Sequence, residues 1–249
     1  MSDTPRSVDS NSAQPAKPFC TPIKRRSFFR YAGATAGATA LVLAGCSKDS
    51  TTPSTSSTIS FGTGDVSVLN YAYALEQLEA AFYAQVVALT TTPLAPAEVT
   101  YFTQVATHEA IHRDFLKAAI NRDFTGKLLL DLTPDFTGID FTKRVKAAGD
   151  TKLGILDAAK AFEDLGVAAY NGAGKLFKNA DYLVIAGQIV SVEARHAAYI
   201  RDLISPGSFA DDTQVDPITG LDKLMTPAAV IAIAQAFIKQ TLDASTVGQ

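Results

Sequence analysis

Apolar residues recur every three or four positions along several long stretches of the chain, which is the period of an amphipathic helix. These stretches are rich in Ala and contain few β-branched runs, a composition that favours helix over strand. The pattern therefore predicts an all-α fold with five helices, over about 66–89, 96–120, 152–177, 180–204 and 227–242. The last one follows the helix-start signal Thr226-Pro227.

Two long connections interrupt this helical pattern. Residues 121–150 contain Pro134 and Gly138 and show no strong period. A connection of that length is uncommon in a compact domain, but a four-helix bundle needs one when its second and third helices run parallel. The second connection, 206–225, is rich in Asp, but the spacing does not match an EF-hand. We expect it to be a solvated loop.

The fifth helix is too apolar to stand alone in water. Val230, Ile231, Ala234 and Phe237 give it an apolar surface. It is therefore expected either to cap the bundle or to make a homodimer contact, and the sequence leaves both open.

Composition excludes several functional classes. The chain has 249 residues with 47% hydrophobic and 19% charged residues, which is typical of a globular protein. The net charge of −3 and the absence of a basic run in the helical part argue against a nucleic-acid partner. The two cysteines, Cys20 and Cys46, both precede the helices. A disulfide framework and a thiolate zinc site in the core are thus excluded.

The N-terminal region has the order of an export signal. Arg25-Arg26, followed by Phe28-Phe29, resembles a twin-arginine signal, and the apolar run 31–45 is too short to cross a bilayer. The run ends at Cys46 in a sequence that resembles a lipobox. We therefore expect a signal peptide over 1–45, and a lipidated Cys46 with a Ser/Thr-rich linker over 46–64.

The alternatives for this region are a chance cysteine after an apolar run, or a plain signal anchor. Removal of 1–45 would leave 16 basic and 23 acidic residues, a net charge of −7. Contact with the membrane would then rest on the lipid and not on charge. The expected location is the cell envelope, with the protein lipid-anchored and either facing the periplasm or in the outer membrane. In a Gram-negative bacterium, Ser47 after the cysteine would favour the outer membrane.

Glutamate and histidine are scarce in this chain, and their placement carries the candidate chemistry. There are six glutamates and three histidines, and two Glu-x-x-His motifs occur, at Glu109/His112 and Glu193/His196. Each motif interrupts the apolar stripe of its helix, so both should face the core. A buried carboxylate without a cationic partner is costly. A divalent metal ion would supply the missing positive charge.

The first and third helices repeat a second motif. Glu76 and Glu163 each have Leu two positions later and Tyr seven positions later, at Tyr83 and Tyr170. The chain thus consists of two similar helical hairpins, each with one Glu and one Glu-x-x-His. Pseudo-twofold symmetry predicts two metal ions bridged by Glu109 and Glu193.

This pattern resembles the ferritin-like superfamily over about 65–205, and in particular its exported branch, which includes plant desiccation-related proteins. The resemblance implies a ferritin-like four-helix bundle with a long crossover between helices 2 and 3. It also implies that two Fe or Mn ions are held by six residues: Glu76, Glu109, His112, Glu163, Glu193 and His196. Segment 206–249 would add a loop and the fifth helix.

The sequence leaves the roles of several neighbouring residues open. Glu79 lies one turn after Glu76, but its repeat counterpart is Gly166. It could be an extra ligand, a proton relay or a half-exposed acid. Tyr83 is expected to be a packed aromatic with its hydroxyl near the metals, with a role in electron transfer as the alternative.

In several di-iron relatives an Asp precedes the helical Glu and orients a ligand His. Here those positions hold His108 and Val192, so no such support is identified. His108 is expected to be solvated or hydrogen-bonded. Glu98 is expected to complement the helix dipole in the first turn of its helix.

Six nitrogen and oxygen ligands suit Fe or Mn. The leading functional hypothesis is a ferroxidase-like or peroxide- and O2-handling oxidoreductase. One alternative is a stress- or desiccation-related structural protein without turnover. The weaker alternative is a manganese catalase-like enzyme, which a ligand role of Glu79 would favour.

Overall fold

The computed structural model describes residues 58–249. The expected signal peptide, Cys46 and most of the linker lie outside the described residues. Four long helices form the core of the fold: α1 (Asp65–Val87), α2 (Pro96–Asp123), α3 (Ile155–Ala173) and α4 (Ala180–Ile204). A short helix, α5 (Pro227–Ala234), follows, and two-residue strands β1 (Ile59–Ser60) and β2 (Leu242–Asp243) pair in parallel. The prediction of an all-α, ferritin-like bundle is confirmed.

Contacts along the helices give their directions. The start of α4 meets the end of α2 where the Tyr182 hydroxyl donates to Asp123 at 2.8 Å. Only a short turn with the 3-10 helix Gly174–Leu176 joins α3 to α4. Helix α4 is therefore antiparallel to α2 and also to α3, so α2 and α3 run parallel to each other. The connection between them must cross the length of the bundle, as predicted.

The crossover between α2 and α3, residues 124–154, packs several of its side chains and backbone groups against the bundle. Phe136 and Phe141 lie with ring centroids 6.0 and 6.1 Å from that of Phe82 on α1. Asn70 on α1 donates to the Lys127 carbonyl and accepts from the Leu129 amide, which satisfies polar backbone inside the fold. These contacts explain why α1 is buried around most of its circumference.

The helix starts follow local sequence signals. Pro96 and Pro227 occupy first-turn positions of α2 and α5, where a missing N–H costs nothing. Asn179 caps α4 by accepting from the Asp181 amide. Glu98 accepts from the Ala95 amide at 2.8 Å and also binds Arg144 of the crossover. Its position in the first turn agrees with the dipole role expected of it.

Two predicted helices are shorter in the structure. The third begins at Ile155, not near 152, because Leu153 pairs with the crossover at Ile139. It ends at Ala173, not near 177, where the 3-10 helix Gly174–Leu176 follows. The fifth ends at Ala234, not near 242, because the chain then turns through a 3-10 helix and places Leu242 beside Ile59.

Two smaller differences concern the ends of α1 and α2. Helix α1 ends at Val87, not near 89, and α2 continues to Asp123, not 120. The expected linker also ended later than the structure shows. Ile59 and Ser60 form β1, and Phe61 is 1% exposed with its ring 6.0 Å from that of Tyr71.

Helix α5 caps the bundle within the chain. Val230, Ile231 and Ala234 are buried. The amide of Met225, just before α5, donates to the Ala168 carbonyl on α3 at 3.0 Å. The homodimer contact stays a prediction. Among residues 58–249, no helix is long and apolar enough to cross a membrane.

Candidate metal centre

All four long helices send a carboxylate into the middle of the bundle. Glu76, Glu109, Glu163 and Glu193 are each 0% exposed. Helices α2 and α4 also add His112 and His196, one turn after their glutamates, because residues three apart share a helix face. The structure thus brings the six sequence-predicted ligands together.

The six side chains form two groups, and in each group every residue offers one nitrogen or oxygen atom that lies within 4.8 Å of those offered by the others. Two glutamates, Glu109 and Glu193, belong to both groups. The groups are Glu76, Glu109, His112, Glu193 and Glu109, Glu163, Glu193, His196. Each group therefore has one glutamate and one histidine of its own, and the two groups share two carboxylates, as expected from the internal repeat.

The distances show how tightly the first group converges. The Nδ1 atom of His112 lies 2.7 Å from Glu193 Oε1, 3.2 Å from Glu109 Oε2 and 3.6 Å from Glu76 Oε2. One nitrogen thus faces three carboxylates. In the second group, the Nδ1 atom of His196 lies 3.0 Å from Glu109 Oε1 and 3.4 Å from both Glu163 Oε2 and Glu193 Oε2.

Several of these atoms are close together but lack hydrogen bonds. Within residues 58–249, the buried atoms without a partner include Glu76 Oε2, Glu109 Oε1, Glu163 Oε2, both Glu193 oxygens and His196 Nδ1. A buried polar atom without a partner costs free energy. These oxygens lie around the Nδ1 atoms of His112 and His196, at the distances given above. This donor set fits two divalent cations.

The electrostatics of the protein alone show what such cations would replace. Burial and the neighbouring carboxylates raise the pKa of Glu76 well above its ordinary value. Burial would raise the pKa of Glu193 too, but the contacts with His112 and His196 outweigh it and lower that pKa to about 2. Protons thus offset the negative charge of the cluster, and a metal would have to displace them.

The two histidines respond in the opposite sense. Burial alone would lower the pKa of His112 and of His196, but the surrounding carboxylates outweigh it and raise each pKa to about 12. The raised pKa values show that the carboxylates of this cluster stabilise positive charge. Divalent cations would be stabilised by the same carboxylates and would take the place of the protons.

Two tyrosines complete the repeat across the bundle. The Tyr83 hydroxyl on α1 donates to Glu163 Oε1 on α3 at 2.5 Å, and the Tyr170 hydroxyl on α3 donates to Glu76 Oε1 on α1 at 2.5 Å. Each tyrosine thus uses one oxygen of the opposite glutamate and leaves the other oxygen facing the centre. This cross-helix exchange orients both terminal carboxylates.

Glu79 lies beside the centre but in neither ligand group. It is 3% exposed, and burial together with Glu193 and Glu76 raises its pKa well above the ordinary value. A Cβ atom at Gly166 would lie 3.0 Å from Glu79 Oε1. The glycine at the symmetry-related position of α3 therefore makes room for this fifth acid.

Sequence reasoning missed the partner of His196. His108 Nδ1 lies 2.9 Å from His196 Nε2, and the Tyr101 hydroxyl donates to the His196 carbonyl at 2.9 Å. The signal was present, since His108 directly precedes Glu109 in the motif. Its target lies 88 residues away on α4, so only the folded chain shows the contact.

Comparison with known proteins agrees with this geometry. The sequence profile of the ferritin-like domain family matches residues 64–206, which is more than half of the chain. No match to a curated protein was found. The matched segment contains the four long helices and all six converging residues. The chain belongs to the ferritin-like domain family.

Proposed function

We propose that this protein is a di-metal carboxylate protein that binds two Fe or Mn ions and reacts with O2 or peroxide. The observation that carries the proposal is the pair of ligand groups with two shared glutamates. Carboxylate-rich sites with imidazole ligands suit these metals better than Zn or Cu. When bound, such a pair of ions would supply the one-electron steps that oxygen chemistry needs.

The chain's own residues would divide the remaining work. Glu76 and His112 would hold one ion, Glu163 and His196 the other, and Glu109 and Glu193 would lie between them. Tyr83 and Tyr170 would keep the terminal glutamates in place. Glu79 would accept or deliver a proton beside the ions, and its raised pKa favours the protonated form.

The expected location follows from the sequence and belongs to the same proposal. Export by a twin-arginine route and lipidation at Cys46 would place the bundle in the cell envelope on a Ser/Thr-rich linker. The sites of chemistry and of anchoring would then be separate, so Cys46→Ser would release the protein from membranes without changing its metal content.

The first experiment is metal analysis of the purified full-length protein after reconstitution with Fe(II) or Mn(II). We expect about two ions per chain, and loss of both in the Glu109→Ala/Glu193→Ala double variant. Asp114→Ala is the control, because Asp114 is an exposed carboxylate on α2 away from the centre. A folded wild-type protein without metal would contradict the proposal and favour the structural, stress-related alternative.

A manganese catalase-like activity is a weaker candidate. It was favoured by a ligand role for Glu79, and within the described residues Glu79 belongs to neither ligand group. Peroxide disproportionation by the Mn-loaded protein, lost in Glu79→Gln, would reinstate it. Oxidation of Fe(II) by O2 without catalase activity would support the ferroxidase-like assignment.

A further inference from the structure

The two metal positions proposed above differ in their surroundings although their ligands are related by symmetry. His196 presents its two ring nitrogens to different partners. Its Nδ1 atom faces three carboxylates, at 3.0 to 3.4 Å. Its Nε2 atom faces His108 Nδ1 at 2.9 Å, and the two ring planes are nearly parallel, at 10°.

A histidine that binds a metal through one nitrogen carries its proton on the other. A hydrogen bond from that second nitrogen fixes the tautomer and the ring orientation and makes the ligand more basic. With Nδ1 of His196 directed at the metal position, its Nε2–H would donate to His108. His108 is exposed, so its own second nitrogen can exchange with solvent.

The other metal position lacks this support. His112 also directs Nδ1 at the carboxylates. Within residues 58–249, no side chain hydrogen-bonds its Nε2 atom. The residue that corresponds to His108 in the second hairpin is Val192, which directly precedes Glu193 and has no polar side-chain atom. The hydrogen bond to an imidazole ligand is therefore present on one side only.

We propose, on the basis of the di-metal function above, that His108 is a positioning residue for His196 and makes the two metal positions unequal. The position with Glu163 and His196 is the tighter one. The position with Glu76 and His112 binds more weakly, so the protein passes through a state with one ion. His108 acts through His196 and does not itself ligate, since within the described residues it belongs to neither ligand group.

Manganese titration of the full-length protein tests the inequality. Free Mn(II) is followed by its EPR signal. In His108→Ala, we expect one of the two ions to bind about 10- to 100-fold more weakly, which is the usual cost of losing such a partner, and the other to be unchanged. His108→Asn, which can still accept a hydrogen bond, should recover part of the loss. Val192→Ala is the matched control and should change neither ion.

Two backgrounds assign the effect to a position. In His112→Ala the effect of His108→Ala should persist, whereas in His196→Ala it should vanish, because the partner of His108 is gone. If both Mn(II) ions bind to His108→Ala with the same affinities as to the wild type, the role of His108 is overturned and the di-metal function remains intact. Absence of any bound metal in the wild type would overturn the di-metal function itself.

A measurement on the metal-free protein distinguishes failure of the positioning role of His108 from failure of the di-metal function. The chain has three histidines, so their ring nitrogens can be assigned by NMR. We expect a nitrogen–nitrogen coupling through the hydrogen bond between His108 and His196 in the wild type, and its loss in His108→Ala with no change at His112. Absence of the coupling in a folded wild-type protein would overturn the positioning role, whatever the metal content.

Discussion

Single side chains in this bundle differ in whether their polar atoms have partners, and this difference sets their energetic roles. Tyr83 and Tyr71 are both buried on α1, but only Tyr83 donates a hydrogen bond, to Glu163. The Tyr71 hydroxyl has no partner among the described residues. The same change at these two positions should therefore have opposite consequences.

Tyr83→Phe is expected to destabilise the metal-free protein by about 1–3 kcal/mol, because Glu163 Oε1 would lose its donor in a buried site. Tyr71→Phe is the control and should be neutral or slightly stabilising, since it removes an unpaired hydroxyl. Urea unfolding of both variants and the wild type measures the difference. Equal stability of the two variants would show that the short contact with Glu163 contributes nothing.

Gly166 tests the space that Glu79 occupies. In an exposed helix position Gly→Ala stabilises by about 1 kcal/mol, and Gly187 on α4 has open space around it and provides that reference. Gly166→Ala should gain less, because its Cβ would press against Glu79 Oε1. In a Glu79→Ala background the gain should return. A gain at Gly166 as large as at Gly187, with Glu79 present, would contradict this packing.

At the scale of elements, two contacts hold segments that are distant in sequence against the four helices. The crossover is held at Arg144, which donates to Glu98 at 2.6 Å and to the Leu203 carbonyl at 3.1 Å. The start of α5 is held where Met225 approaches α3. Each contact can be removed by one substitution.

The Arg144–Glu98 contact should make stability depend on pH. Burial raises the pKa of Glu98, but hydrogen bonds from Arg144 and from the Ala95 amide outweigh it and hold the pKa below its ordinary value of 4.5. A lowered folded-state pKa gives stabilisation that is present above 4.5 and lost as the pH falls through the folded-state value.

Glu98→Gln should accordingly cost about 1–2 kcal/mol at pH 7, the lower part of the range for charged hydrogen bonds because Arg144 is partly exposed. The difference from wild type should be smaller at pH 3, which lies below the ordinary pKa of 4.5. Urea unfolding at both pH values measures it. Asp114→Asn, in an exposed pair on the same helix, should have little effect at either pH. A loss at Glu98 that does not change with pH would contradict the charge argument.

Gly172 on α3 allows the chain before α5 to pass close by. A Cβ there would overlap the Met225 carbonyl oxygen, which belongs to backbone and cannot rotate away. Gly172→Ala should cost more than about 2 kcal/mol, and should speed hydrogen exchange at the Met225 amide. Gly187→Ala again serves as the control. Normal protection of that amide in Gly172→Ala would show that α5 docks without this close approach.

In the whole molecule, the packing of the four helices stabilises the fold, whereas the buried carboxylates at their centre destabilise it. Four buried carboxylates and Glu79 lie together, so the metal-free protein holds either like charges or bound protons in its core. Such a site costs stability, and under the proposed function a bound cation would offset that cost. Function and stability therefore conflict in the same residues.

Metal should raise the melting temperature of the full-length protein. At an ion concentration of 100 times Kd, each position contributes about 2.7 kcal/mol, and a domain of this size gains about 2–4 °C per kcal/mol. The Glu109→Ala/Glu193→Ala variant should show no shift with Fe(II) or Mn(II), and its metal-free form should melt at or above the wild-type temperature. Calorimetry with and without a chelator checks both statements. A metal-free variant that melts well below wild type would mean that the carboxylates are structural.

Much of the element structure was determined by the sequence alone. Periodicity placed the four long helices because each must bury one face, and α4 was predicted with its observed bounds of 180–204. The three-residue spacing of Glu and His placed each pair on one inward face because helix geometry is local. At 152–154 and 235–242 the prediction was wrong where the chain pairs with distant segments, and smaller errors lie at the ends of α1, α2 and α3.

Only the tertiary structure decided which residues meet across helices. The exchange of Tyr83 and Tyr170 between hairpins, the space at Gly166 for Glu79, and the contact of His108 with His196 join residues 80 to 94 positions apart. Such contacts depend on how the hairpins dock and on side-chain directions, which no local pattern encodes. The sequence determined what each helix presents to the core, and packing determined which partner it finds there.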